Sequence, residues 1–92
     1  MAAYPHLFSP WQLRNTEIRN KVVFPPTCPT WVSDPWSGVF TDMAVDYYAE
    51  RAKGGVGLII IGGTHVHPSS LVAPLLMPQL YNDNQIEPLS RI

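Results

Sequence analysis

The run Val56-Gly57-Leu58-Ile59-Ile60-Ile61 is apolar at successive positions, so a strand built from it presents hydrocarbon on both faces. A strand that borders water alternates apolar and polar residues, whereas a two-sided apolar strand belongs in a parallel sheet covered above and below. The residues before it supply the connection that such a sheet needs. Thr41 and Asp42 are good N-cap types, and Ala44, Tyr47, Tyr48 and Ala52 recur at helical spacing, leaving Asp46, Glu50 and Lys53 for water. A helix is therefore predicted over Thr41 to Lys53, with Gly54-Gly55 supplying the left-handed residue that stops it. Upstream, Lys21-Val22-Val23-Phe24 is a compact β-branched and aromatic run, ended by Pro25-Pro26, neither of which can donate to a ladder. Strand, helix and strand make a βαβ unit, and the fold class is α/β.

Trp11-Gln12-Leu13 and Glu17-Ile18-Arg19 flank Arg14-Asn15-Thr16, where Asn15 is suited to the tight turn of a short N-terminal β-hairpin. Prolines at 25, 26, 29 and 35, and again at 68, 74, 78 and 88, mark two long loops, because a helix interior rejects proline. Asn82-Asp83-Asn84 then precedes Ile86, Leu89 and Ile92, the start of a second helix whose opening turn tolerates Pro88. A (β/α)₈ TIM barrel needs about 250 residues to close. A barrel reading of these 92 residues therefore makes residues 1–92 an amino-terminal fragment: a hairpin and two βα units, cut in the second helix.

Several classes are disfavoured. The net charge is −1, and six Lys and Arg are spread from Arg14 to Arg91, so no basic stripe is available to neutralise nucleic-acid phosphates. The longest apolar run is far short of the roughly 20 residues that span a bilayer. Met1 to Pro10 carry no secretory pattern, and the single Cys28 has no internal disulfide partner, which makes a reducing cytoplasm the expected location. A proline-rich interaction module is disfavoured by the βαβ core and by the lack of a Pro-x-x-Pro run in a polar, flexible context.

In parallel α/β folds ligands bind beyond the carboxyl ends of the strands. Two segments qualify, Pro25-Pro26-Thr27-Cys28-Pro29-Thr30 and Gly62-Gly63-Thr64-His65-Val66-His67. His65 and His67 open a metal reading, since alternate residues on an extended chain point the same way and a His-x-His pair at a strand end suits zinc. No third ligand or bridging carboxylate is identifiable in the sequence, so no metal site is assigned and loop packing is the competing role for both.

Leu7-Phe8-Ser9-Pro10, the run Arg19-Asn20-Lys21-Val22-Val23-Phe24-Pro25-Pro26-Thr27-Cys28 and the stretch from Asp46-Tyr47-Tyr48 through Arg51-Ala52-Lys53 to Ile60 are similar, in order and spacing, to the start of old yellow enzyme family proteins. The resemblance implies an FMN-binding barrel with the hairpin closing its bottom. It places Pro25, Pro26, Thr27 and Cys28 in the loop that meets the flavin ring and Gly63 beside the ring at the next strand end. Small or rigid residues suit such a place, because a flat ring must lie against backbone whose peptide groups bond its polar edge. Cys28 matches a position that tunes the ring, or, in amine-dehydrogenase relatives, bonds to it covalently. Read without that context it is an inert buried thiol. Thr30 stands near the place of a substrate-side Tyr common in the cysteine-bearing branch and Trp31 follows it, so both are substrate-side candidates. Trp31 and Trp36 are equally consistent with loop packing.

The activity implied is transfer of a hydride from NAD(P)H through FMN to an activated alkene, an α,β-unsaturated carbonyl or enoyl thioester, with a small-molecule substrate. Oxidative amine demethylation is the in-family alternative, and a zinc hydrolase using His65 and His67 the more distant one. Dienoyl-CoA reductase relatives add an iron–sulfur cluster and FAD, which this sequence leaves open, as it does the oligomeric state. The resemblance puts the substrate grip, the proton donor and the phosphate-binding loops in later strands, so no catalytic residue is assigned within these 92 residues and the chain alone is expected to be inactive.

Overall fold

The structure, a computed structural model, describes residues 3–70 and 77–92. Strands β1 (Trp11–Leu13) and β2 (Thr16–Ile18) pair antiparallel, Trp11 opposite Ile18 and Leu13 opposite Thr16. That register leaves a two-residue loop. The positive φ it needs falls on Arg14, at 51°, and not on Asn15, because loop position decides which residue must turn left-handed.

Strands β3 (Val23–Phe24) and β4 (Leu58–Ile59) pair in parallel, Val23 opposite Leu58 and Phe24 opposite Ile59, and helix α1 (Asp42–Lys53) connects them. Both strands are shorter than the apolar runs that announced them. Ladder bonds run from Gly57 and Leu58 to the Val22 carbonyl and from Ile60 to that of Phe24, and then Pro25 and Pro26 remove the donors. Thr41 caps α1, its hydroxyl oxygen accepting from the Ala44 amide at 3.3 Å. At the other end Gly54 is still right-handed and Gly55, with φ 103°, takes the turn.

Opposed residues of a parallel pair share a face, and the face holding Phe24, Ile59 and Ile61 looks toward α1. The Phe24 ring meets Tyr47 edge-on at 5.9 Å between centroids, and Ile59 and Ile61 line a cavity together with Tyr48, Ala49, Ala52 and Ile92. Val23 and Ile60 occupy the opposite face and remain 40% and 44% exposed. The two-sided burial expected of these strands is thus met on one side only, since a single helix covers a single face. In a closed barrel the second face is the packed interior.

The core comprises Val32, Phe40 and Ala44, with Ile61 and Leu89 packed against it. The first loop folds back on itself at a bridge between Ser33 and Phe40. Helix α2 (Ile86–Arg91) follows a 3₁₀ turn over Asp83–Gln85, and Pro88 sits in its first turn, where a missing amide is harmless. Its buried side differs from the expected Ile86, Leu89 and Ile92 stripe: Ile86 is 66% exposed, while Gln85 and Pro88 are buried. Residues three apart drift around a helix of 3.6 per turn, so the spacing 85, 88/89, 92 keeps one face better. Of the second proline group, Pro68 opens a 3₁₀ turn, Pro78 is buried, and Pro74 lies outside the described residues.

Arg19, Asn20 and Lys21 fasten the end opposite the loops. The Arg19 guanidinium donates to the Ala52 and Val56 carbonyls at 3.1 Å each, closing the C-terminus of α1. Asn20 donates to the Gly55 carbonyl at 2.7 Å and accepts from the Val22 amide at 3.0 Å. Lys21 reaches the carbonyls of His6 and Ser9. Among the described residues no helix is long and apolar enough to cross a membrane.

Candidate functional site

Because β3 and β4 are neighbours running the same way, the loops leaving them emerge side by side. Pro25, Pro26, Thr27 and Cys28 are exposed, Gly62 is buried and Gly63 is exposed. The Cys28 thiol donates to the Gly63 carbonyl at 3.6 Å, a weak bond that ties one loop to the other. The Thr27 carbonyl lies over Gly62 so closely that a Cβ there would stand 2.0 Å from the Thr27 oxygen and 2.7 Å from the Cys28 sulfur. At Gly63 a Cβ would be 3.4 Å from that sulfur and 2.8 Å from the terminal methyl of Met77.

Helix α1 braces this junction from behind. The Tyr47 hydroxyl is 3.5 Å from that of Thr27, and the Tyr48 ring is buried. Burial pushes the Tyr48 phenol above its ordinary range, while the Gly62 amide acts the other way. The front is open. The amides of Thr27, Cys28 and Gly63 form no hydrogen bonds within the described residues, and they stand beside small or rigid side chains at two strand ends. That arrangement fits the edge of a flat polar ring such as a flavin, and it is assembled from the residues that the sequence singled out: Pro25, Pro26, Thr27, Cys28 and Gly63.

The substrate-side candidates separate. Thr30 is exposed at the following turn. Trp31 packs edge-on against Tyr47, with ring centroids 5.0 Å apart, and its carbonyl accepts from the Thr41 hydroxyl at 3.1 Å. Arg51 stacks over the Tyr47 ring, its guanidinium carbon 3.7 Å from the ring centre. Trp36 is 81% exposed at the tip of the 33–40 hairpin, which leaves the loop-packing alternative without support at that residue. The Asp34 carboxylate holds the tip, accepting from the Trp36 and Ser37 amides at 3.0 and 2.8 Å and from the Ser37 hydroxyl at 3.0 Å. The Ser37 amide, then the Trp36 amide, then the Ser37 hydroxyl hold that carboxyl below its ordinary range.

His65 and His67 do not converge. His65 is buried, its ring Nδ1 3.2 Å from the Ser70 hydroxyl and its backbone bridged to Gln79, whereas His67 pairs through Nδ1 with the Ser69 hydroxyl at 2.7 Å. Among the described residues no group of three or more His, Cys, Asp or Glu is placed to hold a metal ion.

Two positioning features had no sequence signal pointing to them. Gly62 looked like half of a Gly-Gly loop opener, and only the close approach of Thr27 distinguishes it from Gly63. Gln85, fully buried, accepts from the Phe40 amide at 3.0 Å and donates to the Gly38 and Gln79 carbonyls at 2.8 and 3.0 Å, joining the first loop to the second.

A parallel βαβ unit whose loops meet beyond its strand ends is what one portion of an α/β barrel supplies, and the solved structures that it matches are barrels of that kind. The chain superposes on the old yellow enzyme from Trypanosoma cruzi with a TM-score of 0.86 and 30% identity, over 98% of this chain and 23% of that one. On a variant of NCR from Zymomonas mobilis it does so with a TM-score of 0.82 and 28% identity, over 96% and 27%. The sequence profile of the NADH:flavin oxidoreductase / NADH oxidase family matches residues 6–92, and the chain belongs to that family. It is 33% identical over 86 residues to an NADPH dehydrogenase of Listeria monocytogenes, covering 94% of this chain and 25% of the relative. It is 39% identical over 66 residues to an NADH oxidase of Thermoanaerobacter brockii, covering 72% and 10%. The chain thus spans about a quarter of the length of the first and a tenth of the second.

Proposed function

We propose that the protein carrying this chain is an FMN-dependent NAD(P)H oxidoreductase that reduces an activated alkene, an α,β-unsaturated carbonyl or enoyl thioester, and that residues 1–92 supply the opening hairpin and first two βα units of its barrel. The observation that carries the reading is the junction of β3 and β4, where the amides of Thr27, Cys28 and Gly63 make no hydrogen bond among the described residues and lie beside Pro25 and Pro26. FMN, when bound, supplies the two-electron chemistry. This chain's residues then have simpler tasks. The prolines stiffen the loop, these amides orient the ring's polar edge, and the Cys28 thiol, held toward the Gly63 carbonyl, sits where it modulates the charge that the reduced ring can bear.

The test is spectroscopic. The protein expressed from its complete coding sequence is expected to be yellow, to release FMN on denaturation, and to consume NADH or NADPH faster when 2-cyclohexenone is added. A colourless protein holding stoichiometric zinc would refute the reading and favour a hydrolase. Flavin that stays with the denatured chain would replace alkene reduction by the covalent amine-dehydrogenase branch, with Cys28 as the attachment point.

A further inference from the structure

The two glycines at the end of β4 are unlike in what surrounds them. At Gly63 the tightest neighbour of an added Cβ, at 2.8 Å, is the methyl end of Met77, which a rotation of that long side chain can withdraw. At Gly62 the tightest neighbour is the backbone oxygen of Thr27, at 2.0 Å, followed by the Cys28 sulfur and the Thr27 carbonyl carbon at 2.7 Å, and no rotamer moves a carbonyl. We infer that Gly62 is a positioning residue for the flavin site: its missing side chain lets the Thr27 carbonyl close over β4, and that contact sets the spacing of the two loops that face the cofactor. The inference rests on the flavin reading above.

A side chain at Gly62 pushes the Thr27 loop away from it. On the α1 side the Tyr47 hydroxyl stands 3.5 Å from that of Thr27, while Thr27 itself is exposed to solvent. Restoring ordinary contact, at 3.4 Å or beyond, requires the Thr27 oxygen and the added Cβ to move apart by about 1.4 Å. The shift carries with it the Thr27 and Cys28 amides and the weak Cys28–Gly63 tie. Displacements of about 1 Å at a preorganised site cost up to roughly a hundredfold. Tight packing of loop on glycine is thus the device that fixes the spacing between the two loops.

The experiment uses the whole protein stripped of flavin and titrated with FMN, binding being read from the quenching of flavin fluorescence, with thermal unfolding of the flavin-free protein measured alongside. Gly62→Ala is expected to unfold cooperatively near the wild-type midpoint and to bind FMN at least about tenfold more weakly, about 1.4 kcal/mol. The double substitution Gly62→Ala with Cys28→Ala is expected to remain as weak as Gly62→Ala, because removing the sulfur leaves the carbonyl in place. Gly62→Ala binding within twofold of wild type overturns the inference. So does recovery in the double variant, which would make the thiol the wall, and so does loss of cooperative unfolding in Gly62→Ala, which would make Gly62 a folding residue. A wild-type protein that takes up no FMN would instead refute the flavin reading itself.

Discussion

Replacing Gln85 by leucine perturbs a side chain that is completely buried and joins three backbone groups, so the cost follows from what each group keeps. The Phe40 amide bonds to the Gln85 carbonyl oxygen at 3.0 Å and has no second acceptor among the described residues. The Gly38 carbonyl loses the Gln85 donor but retains the Gln79 amide at 3.0 Å. The Gln79 carbonyl loses its donor at 3.0 Å. Two buried backbone groups are therefore orphaned, each at about 1–3 kcal/mol, while leucine fills much of the same volume, so Gln85→Leu is expected to destabilise the protein by about 2–4 kcal/mol. Equilibrium urea unfolding should show the midpoint lowered by roughly 1 M or more, at an unchanged slope. Gln85→Glu sharpens the argument. A carboxylate keeps an acceptor for Phe40 but turns oxygen against two carbonyls, and a buried acid so placed titrates higher folded than unfolded. Its neutral form's contribution is present below the unfolded value of about 4.3 and is lost as the pH rises. The deficit of Gln85→Glu should therefore shrink on acidification toward pH 4, and that of Gln85→Leu should not. A leucine variant within about 0.5 kcal/mol of wild type, or a glutamate variant indifferent to pH, would refute the account of Gln85 as the link between the loops.

Cys28→Ala and Cys28→Ser should each move the flavin potential by roughly tens of millivolts with the fold intact, since one modest hydrogen bond is exchanged, and the two half-reactions should change in opposite directions. Equal slowing of both at an unchanged potential would make Cys28 a packing residue. The Asp34 carboxyl is depressed in the folded loop, so its support of the hairpin tip is present above its ordinary value of 3.8 and is lost as the pH falls through the lower folded value. The Trp36 and Ser37 amide resonances should accordingly hold their positions down to about pH 4 and shift only below it, and in Asp34→Asn, which keeps an acceptor without the charge, that acid-dependent shift should vanish.

The parts of this fold that were legible in the sequence are those whose causes are local. Helix α1 begins one residue after its Thr41 cap and ends at Lys53 because cap, periodicity and the following glycines all lie within one stretch of chain. Strand extent is a different kind of property. The run 56–61 has six apolar residues, but a ladder needs a partner at each step, and Pro25 and Pro26 withdraw that partner, so β4 is Leu58–Ile59. The second helix shows the same limit from another side. Apolar residues at spacing three suggested a face containing Ile86, whereas the buried side includes Gln85, a polar residue that no hydrophobicity pattern selects. Arg19 was readable only as part of a recurring string. Its role in bonding the Ala52 and Val56 carbonyls depends on the chain folding back across sequence separations of 33 and 37.

The candidate site divides along the same line. That ligands gather beyond the ends of parallel strands is a rule of topology, and it led to the segments 25–30 and 62–67, of which the structure brings Thr27 and Cys28 into contact with Gly62 and Gly63. Which member of each group does what is a matter of distances of a few tenths of an ångström. Gly63 drew attention as the residue beside the ring, yet the space around it has slack, while Gly62, one residue earlier, is closed by a carbonyl at 2.0 Å from where a Cβ would stand. Trp31 was a substrate-side candidate because it stands near the place of a substrate-side Tyr in the family that the chain resembles, and its ring packs on Tyr47 of α1. A loop that must hold backbone donors against a flat ligand is stiffened best by anchoring its flank elsewhere. The Trp31 contact with the helix, together with the bond from the Thr41 hydroxyl to the Trp31 carbonyl, anchors the far side of the 25–28 segment in that way.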